Sequence, residues 1–337
     1  MALARRKLGR VGIDVSALGF GAAPLGDLYA RLDEATAVAT VEAALHAGVN
    51  LIDTSPLYGH GLSEHRVGAA LRRTSGNAVV ISTKIGRVMD PFKAPGEGSG
   101  YVGGLPHAAR FDYSYDGAMR SLEQSLLRLG VGRIDIALIH DVDVWTHGRD
   151  AIDARFREAM EGAYKALDRL RASGVIRAIG VGVNEADMCE RFARAGDIDA
   201  VLLAGRYSLL EQPAAASFLP LAQQKGIGVM LGGVFNSGIL ATGPVPGARY
   251  NYKPAPPPIV EKVTKLDAAC RRHGVRLYEA ALQFAIAHPA VGAVVLGAVA
   301  PGEVAEQVAA IGKPVPRALW DDLRNDGLLP ENIPTPA

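Results

Sequence analysis

Val49-Asn50-Leu51-Ile52-Asp53-Thr54 is a short apolar run closed by a carboxylate, and Ser55-Pro56-Leu57-Tyr58-Gly59 interrupts it before a helical pattern starts near Ser63 and runs to about Arg72. A run this short and this apolar fits a strand buried on both faces, as in a parallel sheet. Pro56 and Gly59 stop it, and the segment that follows has helical spacing. Strand, short polar loop, helix is one half of a parallel crossover unit.

The same unit recurs outward in both directions. Upstream, Ala17–Ala22 reads as a strand. Asp33 then caps a helix with Val38, Val41, Ala44 and Leu45 on one face and Gly48 as its stop. Downstream, strand Ala78–Lys84 leads to helix Ser114–Leu129, Ile134–His140 to Ala154–Ala172, and Ile176–Val181 to Glu185–Arg194. Strand Ala200–Tyr207 precedes helix Ala214–Gln224, Gly228–Gly232 precedes two helices within Ile259–Ala287, and Val291–Leu296 precedes a helix from about Gly302 and a helical tail. About eight such units in roughly 300 residues predict a closed (β/α)8 TIM barrel of the α/β class, one domain over residues 1–337. Arg6–Gly12 and Ile13–Ser16 predict an N-terminal β-hairpin over the barrel floor. Gly86–Asp112 and Phe235–Pro258 break the rhythm directly after strands, where a barrel carries the long loops of its catalytic face.

Bulk composition narrows the class. Lysines and arginines number 36 against 35 aspartates and glutamates, so the chain as a whole has no pull toward nucleic acid or anionic membrane. Cys189 and Cys270 stand far apart, without a CxxC pair, which points to a reducing compartment rather than a disulfide framework or structural zinc. The basic N-terminus lacks the apolar core of a signal peptide, and no stretch approaches the roughly 18 apolar residues of a membrane helix. The expectation is a cytoplasmic protein, monomer or small homo-oligomer, acting on a small molecule.

Titratable side chains gather at successive strand ends, where barrel enzymes build their sites: Asp53, then Tyr58 in the following loop, Lys84 and His140. Each alone has an ordinary structural explanation; four in succession do not. A tyrosine titrates near 10, and a neighbouring ammonium lowers that value. Asp53 beside Lys84 would keep the lysine charged, while His140 would donate a hydrogen bond to a substrate oxygen. This is acid–base machinery for a carbonyl/alcohol pair, and it requires a hydride carrier.

Asp53-Thr54-Ser55-Pro56-Leu57-Tyr58-Gly59 with Ser63-Glu64 resembles the aldo-keto reductase signature D-T-(A/S)-x-x-Y-G…S-E. Val80–Lys84 and Asp135–His140 resemble the family strands that end in its catalytic lysine and histidine. The resemblance implies Tyr58 as general acid/base, Lys84 and Asp53 as its tuning pair, and His140 as the donor orienting substrate. It also implies a bound NAD or NADP, with contacts at Gly21, Asp53, Asn184, Tyr207, Gly297, Glu303 and Gln307. Gly19–Gly26, Phe111–Asp116 and Ile139–Trp145 are similar to one branch, the aldose 1-dehydrogenases acting on L-fucose, D-arabinose or L-galactose, and the related pyridoxal 4-dehydrogenases. That branch implies oxidation of an aldose hemiacetal at C1 to the lactone, with pyridoxal oxidation or general aldehyde and ketone reduction as alternatives. Tyr29, Tyr113, Asp141 and Trp145 are the candidate substrate contacts.

The chain departs from the wider family in two places. Gly182-Val183-Asn184 stands where many members carry Ser-Asn for the nicotinamide amide. Gly232 or Gly233 replaces the aromatic that stacks on the ring, leaving Tyr207 or Phe235 as substitutes. Ala300 and Glu303 occupy the positions of the lysine and arginine that NADP-using relatives offer to the 2′-phosphate, which predicts a preference for NAD. Two rival readings remain. His140, Asp141, Asp143 and His147, with His60 and His65, contain metal-binding residue types, but neighbouring His140 and Asp141 should diverge at a strand end. A barrel of this kind also serves as a non-catalytic nucleotide sensor.

Overall fold

The computed structural model describes residues 3–74, 78–96 and 100–336. Its first strands, β1 (Arg5–Leu8) and β2 (Ile13–Ser16), pair antiparallel with Leu8 opposite Ile13, the expected hairpin. The remaining strands are β3 (Leu18–Gly21), β4 (Leu51–Asp53), β5 (Val80–Ile85), β6 (Arg87–Asp90), β7 (Ala108–Phe111), β8 (Ile136–His140), β9 (Ala178–Val183), β10 (Ala200–Ala204), β11 (Gly228–Gly232), β12 (Arg249–Tyr250), β13 (Lys253–Pro254) and β14 (Val291–Leu296). Eight of these close a parallel barrel in the order β3-β4-β5-β8-β9-β10-β11-β14, with β14 returning to β3. The sequence-based fold is therefore present.

The helices are α1 (Glu34–His46), α2 (Leu62–Arg73), α3 (Tyr115–Leu129), α4 (Val144–His147), α5 (Ile152–Glu158), α6 (Tyr164–Ala172), α7 (Ala186–Ala195), α8 (Phe218–Lys225), α9 (Ile239–Thr242), α10 (Pro257–Arg272), α11 (Leu277–Ala287), α12 (Pro301–Ile311) and α13 (Arg317–Asn325). Asp33 caps α1 by accepting from the Thr36 N–H at 2.9 Å, and Ser114 caps α3 through the Gly117 N–H at 3.0 Å. Such caps satisfy N–H groups that no helical carbonyl reaches.

Two apolar layers hold the barrel. One lies between strands and helices; the other fills the interior, with Leu51, Ile136, Leu138, Leu202, Met230 and Val295 meeting Leu8, Ile13 and Val15 of the hairpin. The hairpin thus plugs the floor. Gly9 permits the approach: its φ is +53°, and a Cβ there would lie 2.4 Å from the Gly228 nitrogen.

Several boundaries differ from expectation. β10 stops at Ala204, not Tyr207, because Gly205 turns the chain at φ +70°. The expected single helix Ala154–Ala172 begins at Ile152, and a π-helical turn at Ala159–Ala163 separates α5 from α6. The 86–112 loop, of which 97–99 lie outside the described residues, is partly ordered by the antiparallel pair β6–β7. The Phe235–Pro258 loop contains α9 and the β12–β13 pair. Both loops follow barrel strands. No helix among the described residues is long and apolar enough to cross a membrane.

Candidate active site

Asp53 pairs in register with Ser82, and alternate residues of a strand share a face, so Ser82 and Lys84 both address the Asp53 carboxylate. The Ser82 hydroxyl donates to Oδ1 at 2.8 Å, and the Lys84 ammonium donates to Oδ2 at 2.7 Å and to the Thr54 carbonyl at 2.9 Å. Lys84 is 1% and Asp53 2% exposed. A charge this deep is tolerated only with its partner beside it.

Tyr58 follows β4 on a tightly wound turn. Gly59, His60 and Gly61 all have positive φ, and a Cβ on Gly59 would lie 2.5 Å from the Gly26 carbonyl oxygen. The turn is thereby pinned against the 3-10 segment Ala23–Gly26. The Lys84 Nζ stands 4.8 Å from the Tyr58 ring centroid, and the His140 ring lies 6.1 Å away. Lys84 was expected to lower the phenol's pKa. Instead, burial, reinforced by the carboxylates of Asp53 and Asp141, pushes it well above the ordinary value. The ammonium donates to Asp53 and the Thr54 carbonyl, and the Asp53 carboxylate opposes its charge at the phenol.

His140 ends β8 with its ring between two elements. Its Nδ1 meets the Arg87 guanidinium at 3.1 Å and the Ser55 hydroxyl at 3.2 Å. Burial, with Arg87 and Lys84 nearby, holds its pKa well below 6.5, so the imidazole is neutral. Asp141 does not diverge as expected. Its φ of +53° folds the carboxylate back, placing Oδ1 3.4 Å from His140 Nε2 and Oδ2 2.8 Å from Arg87. Among the described residues, no group of three or more His, Cys, Asp or Glu side chains is placed to hold a metal ion.

A cavity of about 510 Å³ opens above this group, lined by Tyr58, Lys84, His140, Asp141, Trp145, Asn184, Tyr101, Asn251 and Tyr252 among others. Of the candidate substrate contacts, Asp141 and Trp145 line it. Trp145 is held from below, where Glu185 accepts the Val144 and Trp145 N–H groups at 3.0 and 2.8 Å. Tyr29 is exposed, with the Arg249 guanidinium 5.5 Å from its ring centroid. Tyr113 is fully buried behind β8 and donates to the His140 carbonyl at 2.8 Å, so it supports the strand and does not face the cavity. Arg87, Ser55, Tyr101, Asn251 and Tyr252 were missed. Only Ser55 had a sequence signal, its place in the Asp53–Gly59 signature; Arg87 lies three residues beyond Lys84, in a loop no periodicity describes.

The cofactor candidates divide similarly. Gly21, Gly297 and Gln307 converge: the Gln307 amide donates to the Gly297 carbonyl at 2.8 Å, and a Cβ on Gly297 would meet Pro24 at 2.6 Å and the Gly21 oxygen at 3.4 Å. Asn184 lines the cavity, its backbone fixed by Asp143 and Arg206. Glu303 accepts the Val299 N–H at 3.0 Å at the start of α12. Tyr207 is not at the site. It is buried in the core and stacked on Phe284 at 5.2 Å, because the chain turns at Gly205 before reaching it. Phe235 likewise stacks on Tyr278 at 4.7 Å. No aromatic replaces the missing stacking residue from those two positions. A Cβ on Gly182 would come within 3.2 Å of Lys84 Cε, so the missing side chain leaves the cavity wall open beside the lysine, with Leu202 and Ala204 also lining the cavity. A nicotinamide fits this surface.

The Aldo/keto reductase family matches the chain over residues 17–324. Pyridoxal 4-dehydrogenase of Microbacterium luteolum is 40% identical over 337 residues, covering 96% of this chain and 98% of that protein. D-threo-aldose 1-dehydrogenase of a Pseudomonas species is 37% identical over 325 residues, covering 95% and 96%. Among solved structures, the holo form of an aldo-keto reductase from Bacillus halodurans superposes with a TM-score of 0.73 at 25% identity, covering 98% of each chain.

Proposed function

The chain belongs to the aldo/keto reductase family and is an NAD(P)-dependent oxidoreductase; within that class we propose that it oxidises the C1 hemiacetal of an aldose to the lactone. The observation that carries this reading is the convergence of Tyr58, Lys84, Asp53 and His140 under one cavity, together with the similarity to an aldose 1-dehydrogenase. Bound nicotinamide supplies the acceptor for the hydride that leaves the hemiacetal carbon.

The chain's residues do the rest. Tyr58 exchanges the hydroxyl proton at its phenol oxygen, and His140 donates from Nε2 to the same substrate oxygen. The raised pKa of Tyr58 keeps the phenol protonated at neutral pH, the form that carbonyl reduction requires, although it also makes the phenol a weaker acid. Oxidation needs the phenolate and accelerates as pH rises. Asp53 keeps Lys84 charged and fixed beneath the ring. Trp145, Tyr101 and Tyr252 shape the mouth around the substrate ring.

Pyridoxal is a second reading. It too forms a cyclic hemiacetal, the aromatic residues at the mouth suit a planar ring, and the 40% relative carries that name. The test is a panel of L-fucose, D-arabinose, L-galactose and pyridoxal with each nucleotide, following reduced nicotinamide and identifying the lactone by mass spectrometry. We expect one class to be turned over with stoichiometric lactone. Absence of turnover with both would overturn the dehydrogenase reading.

NAD is the preferred cofactor in this proposal. Glu303 places a carboxylate, not a guanidinium, at the position of the arginine, and Ala300 offers no cation. A 2′-phosphate there meets like charge, whereas a ribose hydroxyl can donate to the carboxylate oxygen left free by Val299. Glu303→Arg should move the NAD/NADP ratio of kcat/KM toward NADP by roughly tens-fold. A native preference for NADP, or an unchanged ratio in the variant, removes Glu303 as selector.

A further inference from the structure

Arg87 stands outside the four residues that the family pattern supplies, yet it touches two groups lining the cavity. It opens β6, directly after Gly86 turns the chain out of the barrel at φ +98°. Its side chain is 8% exposed. One guanidinium nitrogen reaches His140 Nδ1 at 3.1 Å; another reaches Asp141 Oδ2 at 2.8 Å. The guanidinium carbon lies 4.2 Å from the Phe111 ring centroid, on the antiparallel partner strand, and the Arg87 carbonyl accepts from the Ser121 hydroxyl at 2.8 Å. Backbone and side chain are therefore both held.

Guanidinium nitrogens donate and never accept, and they do not deprotonate in proteins. An Arg N–H aimed at Nδ1 requires that nitrogen to present its lone pair. A neutral imidazole then carries its hydrogen on Nε2, the nitrogen beside Asp141 Oδ1. Ser55 is compatible with this assignment: its oxygen accepts from the Leu57 N–H, and its hydroxyl hydrogen is available to Nδ1 at 3.2 Å. Asp141, with positive φ and a buried carboxylate, is ion-paired with Arg87 at 2.8 Å.

We propose that Arg87 is a positioning residue, which fixes His140 as the tautomer protonated on Nε2 and clamps Asp141 beside that nitrogen as an adjoining acceptor. His140 can donate to a substrate oxygen only in this tautomer. The other tautomer would turn a lone pair toward the same oxygen and repel it. The activity part of the proposal rests on the dehydrogenase reading above; the tautomer part does not.

The test therefore begins without substrate. Long-range nitrogen–proton NMR correlations of the histidine-labelled full-length protein report the tautomer and titration of His140. The groups facing this ring are Arg87, Ser55, Asp141, Lys84 and Tyr58. In the native protein we expect a neutral ring with its hydrogen on Nε2 throughout the neutral range. Arg87→Met should mix the tautomers and raise the His140 pKa, since a nearby cation is lost. Because Met leaves Asp141 buried without its partner, Arg87→Met/Asp141→Asn keeps the measurement available if the single variant does not fold. Arg87→Lys, with one donor point in place of a fork, should restore only part of the native spectrum. On the substrate identified by the panel, Arg87→Met should lower kcat/KM by roughly 10- to 100-fold with nucleotide affinity unchanged. A further loss should be nearly absent in a His140→Gln background, since Arg87 acts through that ring. A native His140 protonated on Nδ1 would overturn the proposal, as would an Arg87→Met protein with native tautomer and native kcat/KM. If the spectra behave as expected and no substrate is turned over, the dehydrogenase reading fails and the tautomer assignment stands.

Discussion

At the residue scale, the site rests on a buried ion pair whose partners cannot be separated cheaply. Removing one member of such a pair leaves the other charged in an apolar interior, at a cost of roughly 3–5 kcal/mol. Lys84→Met should therefore destabilise the fold by that order as well as depress turnover. Lys84→Met/Asp53→Asn should recover much of the stability and none of the activity, as urea unfolding and initial rates would show. The raised Tyr58 pKa sets the pH dependence. Below that value the phenol stays protonated, so carbonyl reduction should be level through neutral pH and fall only in alkali. Oxidation should rise with pH over the same range. A fall in reduction rate between pH 7 and 9 would contradict the direction of the shift. The strand-end residues were legible in the sequence because strand periodicity fixes where their Cα atoms stand. Arg87 and Tyr252 were not, since their positions depend on loop conformations, including positive φ at Gly86 and at Tyr252 itself, that no hydrophobic pattern encodes.

At the element scale, the short turn after β4 aims Tyr58. Gly59 has φ +61° and abuts Gly26, so Gly59→Ala should displace the phenol and lower kcat/KM at least about tenfold, with the far-ultraviolet circular dichroism unchanged. Native kinetics in that variant would show that the turn tolerates a side chain. Ser114→Ala is the contrasting case. It removes a cap from α3, on the outside of the barrel, and should cost about 1 kcal/mol without altering KM. Elements with clear apolar periodicity and a cap, such as α1 behind Asp33, were readable almost to the residue. The end of β10 was not. Val201, Leu203 and Tyr207 are all apolar-bodied, and only Gly205 separates strand from turn, so the run read through to Tyr207. That error carried a functional cost, because it placed Tyr207 near the nicotinamide when it packs on α11.

At the scale of the whole molecule, the alternation of strand and helix dictates the barrel independently of any motif, and the two loops that break the alternation contribute Tyr101, Asn251 and Tyr252 to the cavity lining. Burial also sets a stability slope. His288, 4% exposed at the end of α11, accepts the Ala290 N–H on Nδ1, and its pKa is lowered to about 4. Unfolded, it titrates near 6.5, so the unfolded chain binds the additional proton between those values. Stability should be level above about pH 6.5 and decline on acidification toward pH 4 by up to about 3 kcal/mol from this residue. His288→Gln should flatten that part of the slope; an unchanged slope would assign it elsewhere. The central claim, proton transfer by Tyr58 at a cavity built for a nicotinamide, is tested most directly by Tyr58→Phe. Its kcat/KM on the hemiacetal substrate should fall by about 10²–10⁴-fold while nucleotide affinity, measured by fluorescence titration, stays native. A Tyr58→Phe enzyme with wild-type turnover would contradict it.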